Sequence, residues 1–317
     1  MIAYLLRRVG HGLIVVFIVS LVVFGLLHAL PGGLVRAQLG PGAKAFQVHQ
    51  LEIQEGLLRP LPLQYLTWAW HALQGNLGFS YKLNSPVQAL LARYLPRTIL
   101  LVGSASVLAV AIALPQGLYQ GLRRNKADDH ALSVLMLMFY AMPDFLLGTV
   151  LIILLNLNVQ VFPATATNFG SSLQADFLDL ILPVGTLMLG SVAYYSRYMR
   201  SSVIDNLLEN YVRTAYAKGQ TTRGVLVGHV FRNSLLSVMT LVGLTLPYVF
   251  SGDLIIEALF NFPGVGLLFY NSAQQRDFPT LLGVILVVTV TVVVGSLLAD
   301  IGYSLLDPRI RLTEAPQ

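Results

Sequence analysis

Residues 9–30 read VGHGLIVVFIVSLVVFGLLHAL, a run without one Asp, Glu, Lys or Arg. Stretches of about 18 or more apolar residues are long enough to cross the hydrocarbon core of a bilayer as a helix. Arg7 and Arg8 precede the run, as the charged start of a secretory signal would, but its apolar region is too long and no A-x-A-like cleavage site follows. It reads as an uncleaved first span. Five further runs lie near 98–121, 131–155, 178–196, 234–256 and 279–305. With 55% hydrophobic and 11% charged residues among 317, against roughly a quarter charged in soluble domains, the composition predicts an all-α membrane protein with six transmembrane helices.

The cations give the orientation. Thirteen of the twenty Lys and Arg fall in one alternating set of loops and ends: Arg7 and Arg8; Arg123, Arg124 and Lys126; Arg197, Arg200, Arg213, Lys218, Arg223 and Arg232; Arg309 and Arg311. The positive-inside rule makes that set cytoplasmic, with both termini. Six of the others (Arg36, Lys44, Arg59, Lys82, Arg93, Arg97) lie in the loop from Pro31 to Arg97, longer than the roughly 60 residues over which the rule holds. The basic balance of +5 thus reflects topology and contact with anionic membrane lipid, not nucleic-acid binding. The absence of cysteine excludes disulfides and Cys-ligated metal.

The chain divides into an N-terminal tail and first span (1–30), an external loop region (31–97) and a five-helix core (98–317). The loop region opens with PGG and GPG turn signals. Within it, LPLQYLTWAWHALQG places Leu66, Trp70 and Leu73 at helical spacing before Gly75, and SPVQALLARYLP offers Ser85 as N-cap and Pro86 at the first helical position. Two short amphipathic helices are expected. They either lie on the membrane surface, form a platform over the spans, or pack their apolar side within the loop.

Enzymatic signatures are missing. No GxxxxGK[ST] loop is present to wrap phosphate in backbone amides, no HExxH occurs, and the six His (11, 28, 49, 71, 130, 229) lack metal-ligand spacing. Catalytic and metal residues are therefore none, and this chain is expected to bind no cofactor. Acids near spans are costly in lipid and mark candidate path residues: Asp144, Asp253 and Glu257, the last two one helical turn apart, so that the same face is expected to carry both. Simple hydration at the external interface is the alternative for both. Asp300, near the inner end of the sixth span, reads as an interfacial or structural acid.

Residues 211–224, YVRTAYAKGQTTRG, interrupt the apolar pattern with a polar insert. Upstream, Val203, Leu207, Leu208, Tyr211, Val212, Ala215 and Tyr216 recur at three- and four-residue intervals, an amphipathic cytoplasmic helix. Gly219 after Lys218 ends it, and Thr221 or Thr222 caps the next short helix before re-entry to the membrane. The knob, about 201–232, reads as an element that docks in a partner's groove.

YVRTAYAKG followed by HVFRNSLL resembles the coupling segment, or EAA loop, of binding-protein-dependent ABC importer permeases, in the form typical of the dipeptide and oligopeptide branch. The usual Glu is replaced by Arg213, followed by Thr214 and Ala215, with Gly219 kept. YLLRRVGHGLIVVFIVSLVVFGLLHALPGG, PLPLQYLTWAWHALQGNLGFS, AMPDF and EALFNFPGVGLLFYNSAQQRDFPTLLG resemble other family segments in order along nearly the whole chain. Two positions depart: Gly33 stands where an Asp is usual, and Asp253 where a small apolar residue is usual.

The resemblance implies a type I ABC importer permease fold in a bacterial plasma (inner) membrane. A homologous second permease subunit, two cytoplasmic ATPase subunits carrying ATP and Mg, and an external substrate-binding protein would be its partners, and di- or oligopeptides its cargo. Tyr211, Arg213, Thr214, Ala215, Lys218, Gly219, His229, Arg232 and Asn233 would form the ATPase-coupling surface. The same fold also serves nickel chelates, glutathione or sugar oligomers. A proton-coupled secondary transporter or channel, working without ATPases through Asp253 and Glu257, is the reading of another class.

Overall fold

A computed structural model describes residues 2–29, 34–40, 42–54, 56–160 and 162–306. The PGG turn with Gly33, part of the GPG turn, and Arg309 and Arg311 lie outside them. In order, the elements are α1 (Ile2–His28), α2 (Leu34–Leu39), α3 (Ala45–Gln54), α4 (Leu61–Leu73), β1 (Phe79–Ser80), β2 (Ser85–Pro86), α5 (Val87–Leu122), α6 (Ala127–Ala141), α7 (Asp144–Leu151), α8 (Leu173–Leu208), α9 (Asn210–Ala217), α10 (Thr222–Val225), α11 (Arg232–Thr245), α12 (Tyr248–Ser251), α13 (Leu254–Leu259), α14 (Val265–Gln275) and α15 (Phe278–Leu306). π-helical turns at Ile152–Asn158 and Leu226–Phe231 extend α7 and join α10 to α11.

Among the described residues five helices are long and apolar enough to cross a membrane: Leu6–His28, Val87–Leu122, Leu173–Leu208, Thr222–Ser251 and Phe278–Gly302. The span expected at 131–155 is instead a bent pair, Ala127–Ala141 and Asp144–Asn158, meeting at 109°. Pro143 accounts for the break: it lacks an N–H and pushes the preceding residue out of the helical region, and Met142 is extended at φ −82, ψ 128. Ser85 and Pro86 do not start a short helix. They pair with Phe79 and Ser80 in a two-stranded ladder, and the helix after them runs on into the second span.

The structure divides into two compact units. The first takes residues 1–98, 250–254 and 263–294. Its core joins Leu77, Val87, Leu91, Val265, Leu268 and Val284, with a second cluster of Phe24, Tyr65 and Leu282. Two of the family-like segments meet here: Ser80 donates to Asp277 Oδ2 at 2.5 Å, and Thr280 donates to the same oxygen at 2.7 Å, all three side chains buried. The backbone N–H of Val265 at the start of α14 donates to Thr98 Oγ1 at 2.8 Å, which satisfies one of that helix's orphan amides.

The second unit takes 99–249, 255–262 and 295–317, with α8 at its centre. Gly117 and Gly121 let α5 lie against α8. A Cβ on Gly117 would stand 2.5 Å from Met199 Cβ and 2.6 Å from the Ser196 carbonyl oxygen, and one on Gly121 2.7 Å from Val203 Cβ. Ala109 and Ala113 continue the small-residue stripe in the core. The start of α6 is tied to α8 by the fully buried Asp129, which accepts Nε and Nη2 of Arg200 at 2.7 Å each and the Asn125 N–H at 3.0 Å. A buried carboxylate is tolerable with such pairing, because its desolvation is offset by charge-assisted bonds.

Candidate functional site

The polar insert is mounted at the end of α8. One continuous helix was expected from Val203 to Lys218; the structure breaks it at Glu209, which is extended at φ −70, ψ 147. No glycine or proline forces this turn. It is held by side chains: Tyr211 donates its hydroxyl to Asn206 Oδ1, and Asn206 Nδ2 donates to the Ser202 carbonyl at 2.8 Å and to Ser234 Oγ at 3.2 Å.

The far end of α9 closes as the sequence predicts. Gly219 takes φ +76, its N–H donates to the Tyr216 carbonyl at 2.9 Å, and the Gln220 N–H donates to the Ala215 carbonyl at 3.2 Å. That pair of bonds is the Schellman arrangement, which favours glycine because a Cβ is strained at positive φ. Thr221, of the two threonines, is the following cap, its hydroxyl accepting the Gly224 N–H at 3.3 Å.

The apolar stripe faces its own chain. Val203, Val212 and Ala215 are buried in one cluster with Val225, Val230 and Val238. Ala215 therefore seats α9 and is not part of an open docking face. The outward side carries Arg213, Thr214, Tyr216, Lys218, Gly219 and Gln220, with Leu208 exposed beside it.

Of the residues read from the sequence, Tyr211 and His229 come together, ring centroids 6.4 Å apart. His229 Nε2 also lies 3.1 Å from Gln220 Oε1. Arg232 is exposed and Asn233 half-buried at the start of α11. Asn206, Gln220 and Ser234 complete the mount. The sequence reading missed them, since ordinary polar residues give no signal until the fold closes the turn.

The three acids are divided between the units. Asp253 belongs to the first unit, Asp144 and Glu257 to the second. Asp253 stands in a break after Gly252 (φ +74), between α12 and α13, so it does not share a helical face with Glu257. Glu257 is fully buried, which corrects the reading of it as hydrated at an interface. Its segment is a packed turn: the Phe262 N–H donates to the Glu257 carbonyl at 2.8 Å, and the Ala166 N–H to the Phe260 carbonyl at 2.8 Å. Asp144 is exposed in the first turn of α7, and a Cβ on Gly190 would lie 3.2 Å from its Oδ1.

Residues 113–312 match the family described as binding-protein-dependent transport system inner membrane component, and residues 1–102 match that system's N-terminal membrane-component family. A putative peptide permease protein of Brucella ovis is 36% identical over 99% of this chain and 100% of its own length. The oligopeptide transport system permease protein AppB of Bacillus subtilis is 34% identical over 98% of this chain and 99% of its own. A probable peptide ABC transporter permease protein of Sinorhizobium fredii is 33% identical over 97% and 99%.

Proposed function

This chain belongs to the family of binding-protein-dependent transport system inner membrane components, with the type I ABC permease fold, and from that premise we propose that it forms half of the path by which an ATP-driven importer moves di- and oligopeptides. Names of relatives that align end to end support the peptide cargo. The cation distribution supports cytoplasmic termini and a cytoplasmic α9. A homologous second permease completes the path, an external binding protein delivers the peptide, and two cytoplasmic ATPases hold ATP and Mg. This chain contributes no catalytic group.

The observation that carries the reading is the mount of α9: a short helix fixed at both ends, its apolar side on its own core and a polar, cationic side outward. Such an element suits transmission between two discrete docked geometries, because it moves with α8 and not independently of it. ATP binding draws the ATPases together, the α9 elements follow, and the path opens to the binding protein; hydrolysis resets it.

Reconstitution with neighbouring subunits tests this with a panel of peptides. Di- and oligopeptides are expected to stimulate ATPase activity only when the binding protein is present. Stimulation by a sugar oligomer or nickel chelate and by no peptide overturns the cargo. Uptake that ignores ATP and collapses with an uncoupler overturns the importer.

A further inference from the structure

Helix α4, Leu61–Leu73, contains no Asp, Glu, Lys or Arg. At about 100° per residue its side chains fall into three sectors. Tyr65, Trp68 and Ala69 pack on the Phe24 and Leu282 cluster. Gln64, Thr67 and His71 line an open cavity of ≈ 1050 Å³ together with Arg59, Asn76 and Gln88, and no carboxylate lines it among the described residues. The third sector is apolar and, among the described residues, largely uncovered: Leu66, Trp70 and Leu73 are 60%, 62% and 82% exposed. Those three residues share a face as their spacing predicts, but it is the outward face.

The contacts of α4 with α1 set its depth. Tyr65 Oη lies 2.8 Å from Ser20 Oγ, the Tyr65 ring is 5.5 Å from Phe24 and 6.2 Å from Phe17, and Gln64 Oε1 is 3.0 Å from His28 Nε2. At about 1.5 Å per residue, Phe24 is about 6 Å and Ser20 about 12 Å inward from His28, where the apolar span ends. Half of a hydrocarbon core is about 15 Å. A helix whose side chains touch Ser20 and Phe17 thus lies at the level of the bilayer and not above it. Over the same stretch α1 itself exposes Phe17, Ile18, Leu21 and Val22, so the open face of α4 continues a lipid-facing surface.

We propose that α4 is an interfacial helix of the membrane leaflet at the His28 end of α1, with Leu66, Trp70 and Leu73 among acyl chains and Gln64, Thr67 and His71 turned to the water of the cavity. The occupant of the open face is phospholipid. Tryptophan with its amphipathic ring suits that zone, and an apolar sector beside a polar one is the pattern of helices lying in the plane of the interface. The inference depends on α1 crossing the bilayer and is independent of the cargo.

The chain has no cysteine of its own, so single variants report directly. Leu66→Cys, Trp70→Cys, Leu73→Cys, Thr67→Cys and His71→Cys are spin-labelled in the complete complex, in liposomes of phosphatidylethanolamine and phosphatidylglycerol. Labels at 66, 70 and 73 are expected to collide several-fold more with oxygen than with a water-soluble nickel chelate, and labels at 67 and 71 the reverse. Nickel access at all five overturns the proposal, because the helix then stands in water. Shielding of 66, 70 and 73 from both quenchers also overturns it, because protein then covers the face. Where a label prevents assembly, Trp70→Phe decides without one: brominated phospholipid is expected to quench less of the complex's emission in the variant, and unchanged quenching sinks the idea.

Discussion

Two short helices each leave one side uncovered, and the sides are opposite in chemistry. α4 buries Tyr65 and opens Leu66, Trp70 and Leu73; α9 buries Val212 and Ala215 and opens Arg213, Thr214 and Lys218. Both are apolar at helical spacing, so periodicity alone makes them look alike. They differ in what is left over once the chain has covered its own share: leucines and a tryptophan on α4, which fit the proposed lipid, and cations and hydroxyls on α9, which fit the proposed hydrated protein cleft.

The largest expected effect loosens α8, the helix that carries α9, from α6. Arg200→Leu strands the fully buried Asp129, a loss of about 3–5 kcal/mol, read as a fall in chain recovered from membranes. Adding Asp129→Leu is expected to restore most of it. Next, Leu66→Asp costs up to about 3–4 kcal/mol, the difference between the two residues at the centre of a membrane helix, while Thr67→Asp, one residue on, is expected to leave membrane levels unchanged. Equal effects erase the contrast between the sectors of α4. Gly219→Val has open space around the added atoms but the wrong φ, roughly 1–2 kcal/mol of local strain. The protein should insert normally while peptide-stimulated ATPase activity and uptake separate by about tenfold, the equivalent of roughly 1.4 kcal/mol. The smallest is Tyr211→Phe, which removes one hydrogen bond to Asn206, about 1 kcal/mol; it is expected to lower the thermal midpoint slightly and coupling a few-fold.

Much of this was legible in the sequence. The apolar runs located α1, α8 and α15, and Gly219 and Thr221 marked the turn because positive φ and an N-cap each demand particular residues. The bend at Pro143 was hidden because both of its legs are apolar, so one continuous run reads the same as two crossed ones. The break at Glu209 carries no punctuating residue and rests on Tyr211, Asn206 and Ser234, contacts that exist only after folding. The bond between Ser80 and Asp277 joins residues 197 positions apart, beyond any local pattern. Periodicity told which residues of α4 share a face; it had no means of telling what covers that face.

Helix α8 runs 36 residues without interruption, from the Ser172 cap to Leu208, about 54 Å at 1.5 Å per residue and so well over the thickness of the hydrocarbon core. Inside it Pro183 withholds an amide from the ladder. A tilt of about 5° over the roughly 38 Å from Pro183 to Leu208 would displace that tip by about 3 Å, and the bonds of Tyr211, Asn206 and Ser234 across the break at Glu209 are what would hand that stroke to α9.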